Sequence, residues 1–540
     1  MRGQKLVTMA CLLWAAIARG EGALPPGALM SGLGDHHHPI KIRSTLGQKL
    51  FDQGLTLVYG FNHEEAIRSF RRAAALDPEA AMPLWGIAYA LGPNLNLDVD
   101  PEREKQAYEA VRRALQVAEG APENERAYVT ALSKRYSEDP NADLKQLAAD
   151  FAAAMRDLSE RYPDDLDAAT LYAESLMDLN PWKLWTADGR PAERTEEIVA
   201  VLESVLRRDP NHIGANHYYI HAVEASTTPE RALASAARLE KLVPNAGHLV
   251  HMPAHVYMRT GDYAASARAN AEAARVDEAY IKARDVQGFY PLMYYNHNLD
   301  FLSAASSMAG RYEDARKASE RASANIAPLV KDMPMGEFLV PRPLLVDLRF
   351  QRWSQVLKAS EPPEDLPTSR AIWRYARGVA LAAKGDVAAA AQERAALDAE
   401  SARVADGAPW GLNSTKAVLA VAQASLDARI AAARQDRQAA IAAWRLAVDA
   451  EDRLAYDEPP PWYYPVRESL GAALLADGQK EEAEKVFRDD LRRNPRNPRS
   501  LFGLWETLKA QKKTADSEWV RRAFQEAWKG ADAELRLEDL

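Results

Sequence analysis

The chain has 540 residues, of which 47% are hydrophobic and 27% charged, and its net charge is −9 at neutral pH. This composition is typical of an ordered protein and excludes a disordered one. The acidic balance argues against nucleic-acid binding, because neutralising phosphates needs a clustered positive surface. The length suits several domains or one extended repeat array.

The first twenty residues have the pattern of an export signal. Arg2 and Lys5 are followed by an apolar run over 6–17, and the small residues of 16–18 or 18–20 suit cleavage. The run is too short to cross a bilayer, and no later stretch approaches about 18 continuous apolar residues. A buried N-terminal helix is the alternative. We predict a cleaved signal peptide at 1–20, export to the periplasm and no transmembrane segment.

Residues 21–44 contain glycine, proline and the run His36-His37-His38 before any helical period begins. Such a composition predicts a flexible leader. A run of three histidines can bind metal weakly, but a solvated tail is the simpler interpretation of it.

Helical repeats begin near Leu46. Small, aromatic and proline residues recur there at offsets 0, 12, 16, 19 and 24, namely Gly54, Ala66, Phe70, Ala73 and Pro78. The offsets of 0, 12, 16 and 24 return near the other end of the chain, at Gly471, Ala483, Phe487 and Pro495. This is the spacing of the tetratricopeptide repeat (TPR), in which a small residue on helix A lets helix B pack closely and proline ends the unit.

The fold predicted from these patterns is all-α, a right-handed TPR-like helix-pair solenoid, since strand patterns are nearly absent. Stretches 179–194, 281–295 and 333–368 break the period. The predicted organisation is N-terminal helices at 45–165, histidine-bearing repeats at 166–332, a proline-rich junction at 333–370 and C-terminal repeats at 371–540. The segment YDEPPPWYYP, Tyr456–Pro465, either closes over the groove or caps a packed edge.

Six of the eleven histidines lie between Asn211 and Asn270, and His297 follows closely. A 34-residue frame that starts units at Ile213 and Gly247 accounts for most of them, and a further unit, placed by Gly310 at position 15 and Ala315 at position 20, starts at Asn296. In this frame the histidines that recur 34 residues apart take positions 5 and 9 of two successive helices A: His217 and His221, then His251 and His255. His248 and His297 both take position 2. The TPR resemblance implies that these positions line the concave groove.

The predicted spacing brings four or five imidazoles within reach of one or two metal ions. Residues four apart on a helix lie about 5–6 Å apart, and packed helices lie about 8–10 Å apart. The one cysteine, Cys11, falls in the predicted signal, so nitrogen and carboxylate groups must supply the ligands. We therefore expect a transition metal ion, with Zn, Cu or Fe as the leading identities.

Several neighbouring residues receive predicted roles. Glu224, with Tyr218 or Tyr219, is a candidate to orient the imidazole rings, and Glu224 is also a tentative general base. Counted less securely, Glu174 would neighbour His221. Pro253 is expected to kink or restart its helix. His63 and His212 are interpreted as structural, and Trp182 and Trp185 as either a pocket wall or loop supports.

The chain resembles TPR proteins over nearly all of its length after the predicted signal. It more specifically resembles a group of exported bacterial TPR proteins that share FNHEEAIRSF, WGIAYALGPN, NHYYIHAVEAS and AGHLVHMPAHVY. The TPR resemblance implies a peptide or protein partner in the groove, and the group resemblance implies no particular activity.

We predict a periplasmic metalloprotein, with an enzymatic role left open. Its mono- or dinuclear site would be built from His217, His221, His248, His251, His255 and His297. The alternative is a cell-envelope scaffold that binds a partner in the groove. A third interpretation is pH sensing by imidazoles that titrate near pH ~6.5.

Overall fold

The computed structural model describes residues 27–540, so the predicted signal peptide at 1–20 lies outside the described residues. The first half of this range is helical at α1 Thr45–Tyr59, α2 His63–Leu76, α3 Ala81–Leu91, α4 Pro101–Ala118, α5 Glu123–Leu132, α6 Leu144–Arg161, α7 Leu166–Met177, α8 Thr195–Arg208, α9 Ile213–Glu224, α10 Leu233–Leu242, α11 Gly247–His251, α12 Pro253–Thr260 and α13 Tyr263–Arg284. A π-helical turn, Pro291–Tyr295, follows.

The second half continues in the same way, with α14 Asn296–Met308, α15 Tyr312–Ile326, α16 Arg342–Arg349, α17 Trp353–Lys358, α18 Pro367–Ala383, α19 Val387–Arg403, α20 Thr415–Ala433, α21 Arg437–Asp452, α22 Arg467–Ala476, α23 Lys480–Arg493, α24 Pro498–Ala510 and α25 Thr514–Ala527. Short 3₁₀ turns lie at Ser133–Arg135, Pro229–Ala232, Ala327–Leu329, Pro334–Leu339 and Leu537–Asp539. Two short strands, β1 Pro409–Trp410 and β2 Asn413–Ser414, pair antiparallel. The predicted all-α class is confirmed.

The helices form two compact units. One runs to Val256 and includes Glu272–Tyr295, and the other comprises Tyr257–Ala271 and Asn296–Leu540. The finer boundaries drawn from the sequence at 165, 332 and 370 stay predictions. None of the helices in the described range is both long and apolar enough to cross a bilayer.

Helix pairs in both units interlock through an aromatic ring set against glycine, as the repeat spacing predicts. A β-carbon on Gly54 of α1 would lie 2.4 Å from the ring of Phe70 in α2. On Gly471 of α22 it would lie 2.5 Å from the ring of Phe487 in α23. The missing β-carbon lets each ring enter the neighbouring helix surface, which fixes the pair at close range.

The helices that carry the histidines begin where the repeat frame places its units. Ile213, Gly247 and Asn296 are the first residues of α9, α11 and α14. The predicted interruption at Pro253 is also confirmed, since α11 ends at His251 and α12 starts at Pro253. Proline lacks the N–H needed to continue the hydrogen-bond ladder, so the helix restarts there.

The interpretation of the three-histidine run as a solvated tail is wrong for two of its members. His36 and His38 donate to opposite oxygens of Asp167, at 2.9 and 2.7 Å, and His38 is buried. His37 between them is exposed, with its ring 2.9 Å from Asp52. A pairing with a carboxylate 129 residues away leaves no local signal in the sequence.

Candidate metal site

Helices α9, α11 and α12 bring five histidines and one glutamate together inside the first unit. Each of the five imidazoles is at most 4% exposed, and Glu224 is 1% exposed. The residues are His217, His221 and Glu224 on α9, His248 and His251 on α11, and His255 on α12.

A backbone carbonyl orients the first imidazole. His217 donates through Nδ1 to the carbonyl oxygen of Tyr59 at 2.6 Å. A carbonyl can only accept, so the proton sits on Nδ1 and the lone pair on Nε2. Tyr59 comes this close because α9 carries Gly214, where a β-carbon would lie 2.4 Å from the tyrosine ring.

The Nε2 atom of His217 faces two further histidines. It lies 3.2 Å from Nε2 of His248. One ring nitrogen each of His217, His221 and His248 lies within 4.8 Å of the others. Two imidazole nitrogens on one tetrahedral zinc ion lie about 3.3 Å apart, so the spacing of His217 and His248 fits a shared ion.

Glu224 orients two more rings from the opposite side. Its Oε1 accepts from Nδ1 of His221 at 2.8 Å, and its Oε2 accepts from Nδ1 of His255. Both rings therefore carry their proton on Nδ1 and their lone pair on Nε2. The Nε2 atom of His221 is buried and has no hydrogen-bond partner among residues 27–540. The lone pair of such a nitrogen is available to bind a metal ion.

The second group of nitrogens is more tightly packed. Nε2 of His255 lies 2.7 Å from Nε2 of His251. One ligand atom each of His221, Glu224 and His255 also lies within 4.8 Å of the others. Two nitrogens on one ion lie about 3.3 Å apart, so these two nitrogens would have to separate by about 0.6 Å to share one.

The electrostatics favour the neutral form of two of these histidines and the ionised form of Glu224. Burial, reinforced by the neighbouring His221, holds the pKa of His217 well below its usual range. Burial also lowers the pKa of His221. Burial alone would raise the pKa of Glu224, but His255 and His221 outweigh it and lower that pKa to about 2. At neutral pH the imidazoles of His217 and His221 are neutral and Glu224 is ionised, and a carboxylate of such low pKa is a weak general base.

Aromatic rings cover the cluster, so it does not line an open groove. The ring of Phe61 lies 4.7 Å from His217 and 5.4 Å from His248, centroid to centroid. Trp182 lies 5.6 Å from His221, and Tyr294 lies 5.0 Å from His248. These rings exclude water from the imidazoles, which is why histidines at predicted groove positions are buried.

The other predicted residues have different contacts. Tyr218 packs 5.3 Å from the His217 ring, whereas the Tyr219 hydroxyl donates to Glu203, away from the cluster. Glu174 accepts from Tyr89 at 2.5 Å. His297 belongs to the second unit, where its ring packs 5.9 Å from Phe301, and its role as a ligand stays a prediction.

Of the two predicted loop tryptophans, Trp185 donates its indole N–H to the Ala222 carbonyl of α9 at 2.7 Å and so supports the loop. Trp182 lies against His221. Sequence reasoning missed Tyr59 and Phe61, which lie far before the histidines in the chain, Tyr59 by 158 positions from His217, and outside the 34-residue frame.

A second histidine cluster surrounds Asp167. This carboxylate accepts from His36 at 2.9 Å, from His38 at 2.7 Å, from His212 at 3.2 Å and from the Tyr59 hydroxyl. His212 also caps α9, where its Nδ1 accepts from the backbone N–H of Ala215 at 3.1 Å, which confirms its structural interpretation. The donors engage both carboxylate oxygens, three of them at Oδ1 and His38 at Oδ2.

Pairing of the histidines with the Asp167 carboxylate shifts the pKa values within this cluster. Burial opposes the charged forms, but pairing with Asp167 outweighs it and raises the pKa of His36 and of His38. Burial would also raise the pKa of Asp167, yet the histidines hold it well below its usual range. This arrangement is an internal ion-pair network.

No family model matches the chain, and no curated protein matches its sequence. Similar solved structures include yeast Tom70, at 12% identity and a TM-score of 0.31, covering 88% of this chain and 96% of that one. A human IFIT1 dimer with m7Gppp-AAAA has 12% identity and a TM-score of 0.35, with 90% and 96% covered. The P58(IPK) TPR domain has 10% identity and a TM-score of 0.23, with 87% and 99% covered. At these scores we draw no conclusion about activity or partners.

Proposed function

We propose that the five buried histidines of the first unit bind a transition metal ion, as a mono- or dinuclear site. The observation that carries the proposal is Nε2 of His221. Glu224 orients this ring, the nitrogen is buried without a hydrogen-bond partner among the described residues, and ring nitrogens of His217 and His248 lie within 4.8 Å.

The donor set suggests the metal class. Neutral imidazoles suit Zn, Cu or Fe, whereas Mg or Ca would require oxygen ligands. A bound ion would cross-link α9 to α11 and α12, and with one coordination position open it would supply a Lewis acid or an activated water. Carboxylate and carbonyl groups behind the ligands, here Glu224 and the Tyr59 carbonyl, are typical of built metal sites.

Two further proposals accompany the metal site. The signal-like residues 1–20 support export to the periplasm, which fractionation and N-terminal sequencing of the mature protein would check. The helix-pair architecture supports partner binding on the repeats. The cluster histidines would not form that contact surface, since each is at most 4% exposed.

The decisive experiment is metal analysis of protein purified without a histidine tag. We expect one or two equivalents of metal by mass spectrometry, and recovery of binding when chelator-treated protein receives Zn, Cu or Fe. Free metal at about 1,000 times its Kd should stabilise the fold by about 4 kcal/mol.

Matched variants locate the site. His221→Ala and His248→Ala should lose metal, whereas His63→Ala, which removes a buried histidine outside the cluster, should retain it. If no metal co-purifies and added Zn, Cu, Fe or Ni leaves thermal unfolding unchanged, the proposal is wrong.

A further inference from the structure

The five buried imidazoles of the first unit are enclosed on all their described sides by protein. Each is at most 4% exposed, and aromatic rings pack against His217, His221 and His248. A metal site requires a path for the ion as well as ligands. An ion can therefore enter only if one of the covering segments moves.

A small cavity lies beside one of the proposed ligands. Its lining includes His248 of α11 and Met30, which belongs to the chain before α1. The cavity holds about 10 Å³, roughly the space that one water molecule needs. A metal ion that still carries several water ligands is larger than this, so the cavity has to widen before such an ion can pass.

Met30 lies in residues 28–32, which we call the lid segment. These residues form neither helix nor strand, none of them is buried, and Leu29 is exposed. Segments with few buried apolar contacts open locally at far lower cost than global unfolding. The lid segment can therefore lift while the helices beneath it stay folded.

Hydrogen bonds to the backbone hold the lid segment on one side. Gln53 of α1 accepts from the N–H of Met30 at 2.7 Å and donates to the carbonyl oxygen of Ala28 at 3.1 Å. Arg284 of α13 donates to the same carbonyl at 2.7 Å. These contacts place Met30 over the cavity without burying the segment.

On the other side the lid segment is tied to the turn that leads into α11. The Asn245 side chain donates to the carbonyl oxygen of Ser31 at 2.9 Å, and its backbone N–H donates to that of Gly32 at 2.9 Å. Gly32 has φ +71°, and a β-carbon there would lie 2.5 Å from the Asn245 amide nitrogen. Only glycine permits this approach. Asn245 lies two residues before α11, so the lid segment closes against the helix that carries His248.

We propose that the lid segment is the gate through which a metal ion reaches the histidine cluster. When it lifts, Met30 leaves the cavity and His248 becomes the first imidazole that the ion meets. Nε2 of His217 lies 3.2 Å beyond Nε2 of His248, which continues the path inward. That a metal passes rests on the proposed function, whereas the opening of the lid segment does not.

The first test measures metal exchange in the full chain. Release to an excess of a chromophoric chelator and uptake by chelator-treated protein give the two rates. Met30→Ala should speed both at least about fivefold, because entry no longer waits for a conformational change. Met335→Ala, the same change at a position 47% exposed, should not. A gate alters entry and exit equally, so the Kd should match wild type.

A second pair of variants tests what holds the lid segment. Gln53→Ala removes two hydrogen bonds to it and should speed exchange about tenfold. Gln48 of the same helix makes the same two kinds of contact with His38 and Ile40, beyond the lid segment. Gln48→Ala should therefore leave both rates unchanged.

Two outcomes of the exchange experiments would overturn the proposal. One is wild-type rates in both Met30→Ala and Gln53→Ala. The other is faster release with unchanged uptake, which would make Met30 a support for the bound ion. If Gln53→Ala fails to fold, Met30→Ala decides.

A third test needs no metal. Diethyl pyrocarbonate acylates accessible neutral imidazoles, and mass spectrometry of peptides gives the rate at each histidine. In chelator-treated wild type, His248 should react more slowly than His37, whose side chain is 58% exposed. Met30→Ala should raise the rate at His248 at least about fivefold and leave that at His37 unchanged.

The metal-free experiment separates the gate from the metal site. Faster acylation of His248 in a chain that binds no metal would support the gate and reject the metal site. Stoichiometric metal, with exchange rates and His248 acylation in Met30→Ala both equal to wild type, would support the metal site and overturn the gate.

Discussion

The first unit contains two buried clusters made of the same residue types, and they differ in where the carboxylate lies. Around Asp167, three histidines and a tyrosine all donate to one carboxylate, so both of its oxygens are engaged by the rings that surround it. Around Glu224, the carboxylate accepts from Nδ1 of two histidines. Their Nε2 atoms then face other imidazoles. The first arrangement supports the fold, and the second leaves ring nitrogens of several histidines facing one another.

This difference shows that histidine and carboxylate content does not by itself make a metal site. What decides is which ring nitrogen the carboxylate engages and whether the other nitrogen has a partner. In the Asp167 cluster the second nitrogen of His212 is used to cap α9. In the Glu224 cluster the second nitrogen of His221 is buried and unpartnered within residues 27–540.

The largest expected effect is on stability, from Asp167→Asn. Removing the charge leaves three imidazoles beside a neutral amide, and breaking a buried ion pair costs about 3–5 kcal/mol. Denaturant unfolding measures this loss in the free energy of unfolding. Metal affinity should be unchanged, and a parallel loss of metal would show that the two clusters are not separate.

The next largest effect is expected from Glu224→Gln, which should lower the affinity for the metal. Losing a carboxylate that orients ligands reduces metal affinity about 10–100-fold. Competition with a chromophoric chelator measures this change. Metal-free stability should fall less than in Asp167→Asn, and an unaltered affinity would mean that Glu224 does not orient the ligands.

A smaller effect, which depends on pH, is expected from the double variant His36→Gln, His38→Gln. The raised pKa of these histidines means that their contribution is fully present below the ordinary value of about 6.5. It is lost as pH rises through the folded-state pKa. The double variant should therefore be more destabilised, relative to wild type, at pH 5.5 than at pH 8.5.

The acidic groups that face these two rings are Asp167, Asp165, Asp52 and Glu125. The lowered pKa of Asp167 keeps its own contribution intact at both pH values, because that contribution is lost only as pH falls through the lowered value. Chemical denaturation at the two pH values checks the difference. A destabilisation that is equal at both would contradict the charged pairing.

The smallest effect is expected from His37→Gln. Its side chain is 58% exposed, and surface substitutions of this kind change stability by no more than about 0.5 kcal/mol. Thermal unfolding and metal content should both match wild type. A larger change would mean that the whole histidine run, and not two of its members, is part of the Asp167 cluster.

The sequence by itself determined the helices and their repeat frame. Ile213, Gly247 and Asn296 begin helices as predicted, and Pro253 restarts one. The recurrence of His217 and His221 at 251 and 255 placed four ligand candidates on neighbouring helices. These features were readable because helix period, proline chemistry and a fixed repeat length are encoded in residues close along the chain.

Only the tertiary structure decided which partners meet these residues. The Tyr59 carbonyl lies 158 positions before His217, and His38 reaches across 129 positions to Asp167. The aromatic cover, the lid segment and the cavity beside Tyr456–Pro465 in the second unit likewise join segments outside the repeat frame. Such contacts depend on how packed helices place distant backbone and side-chain atoms, and no local pattern in one sequence records that.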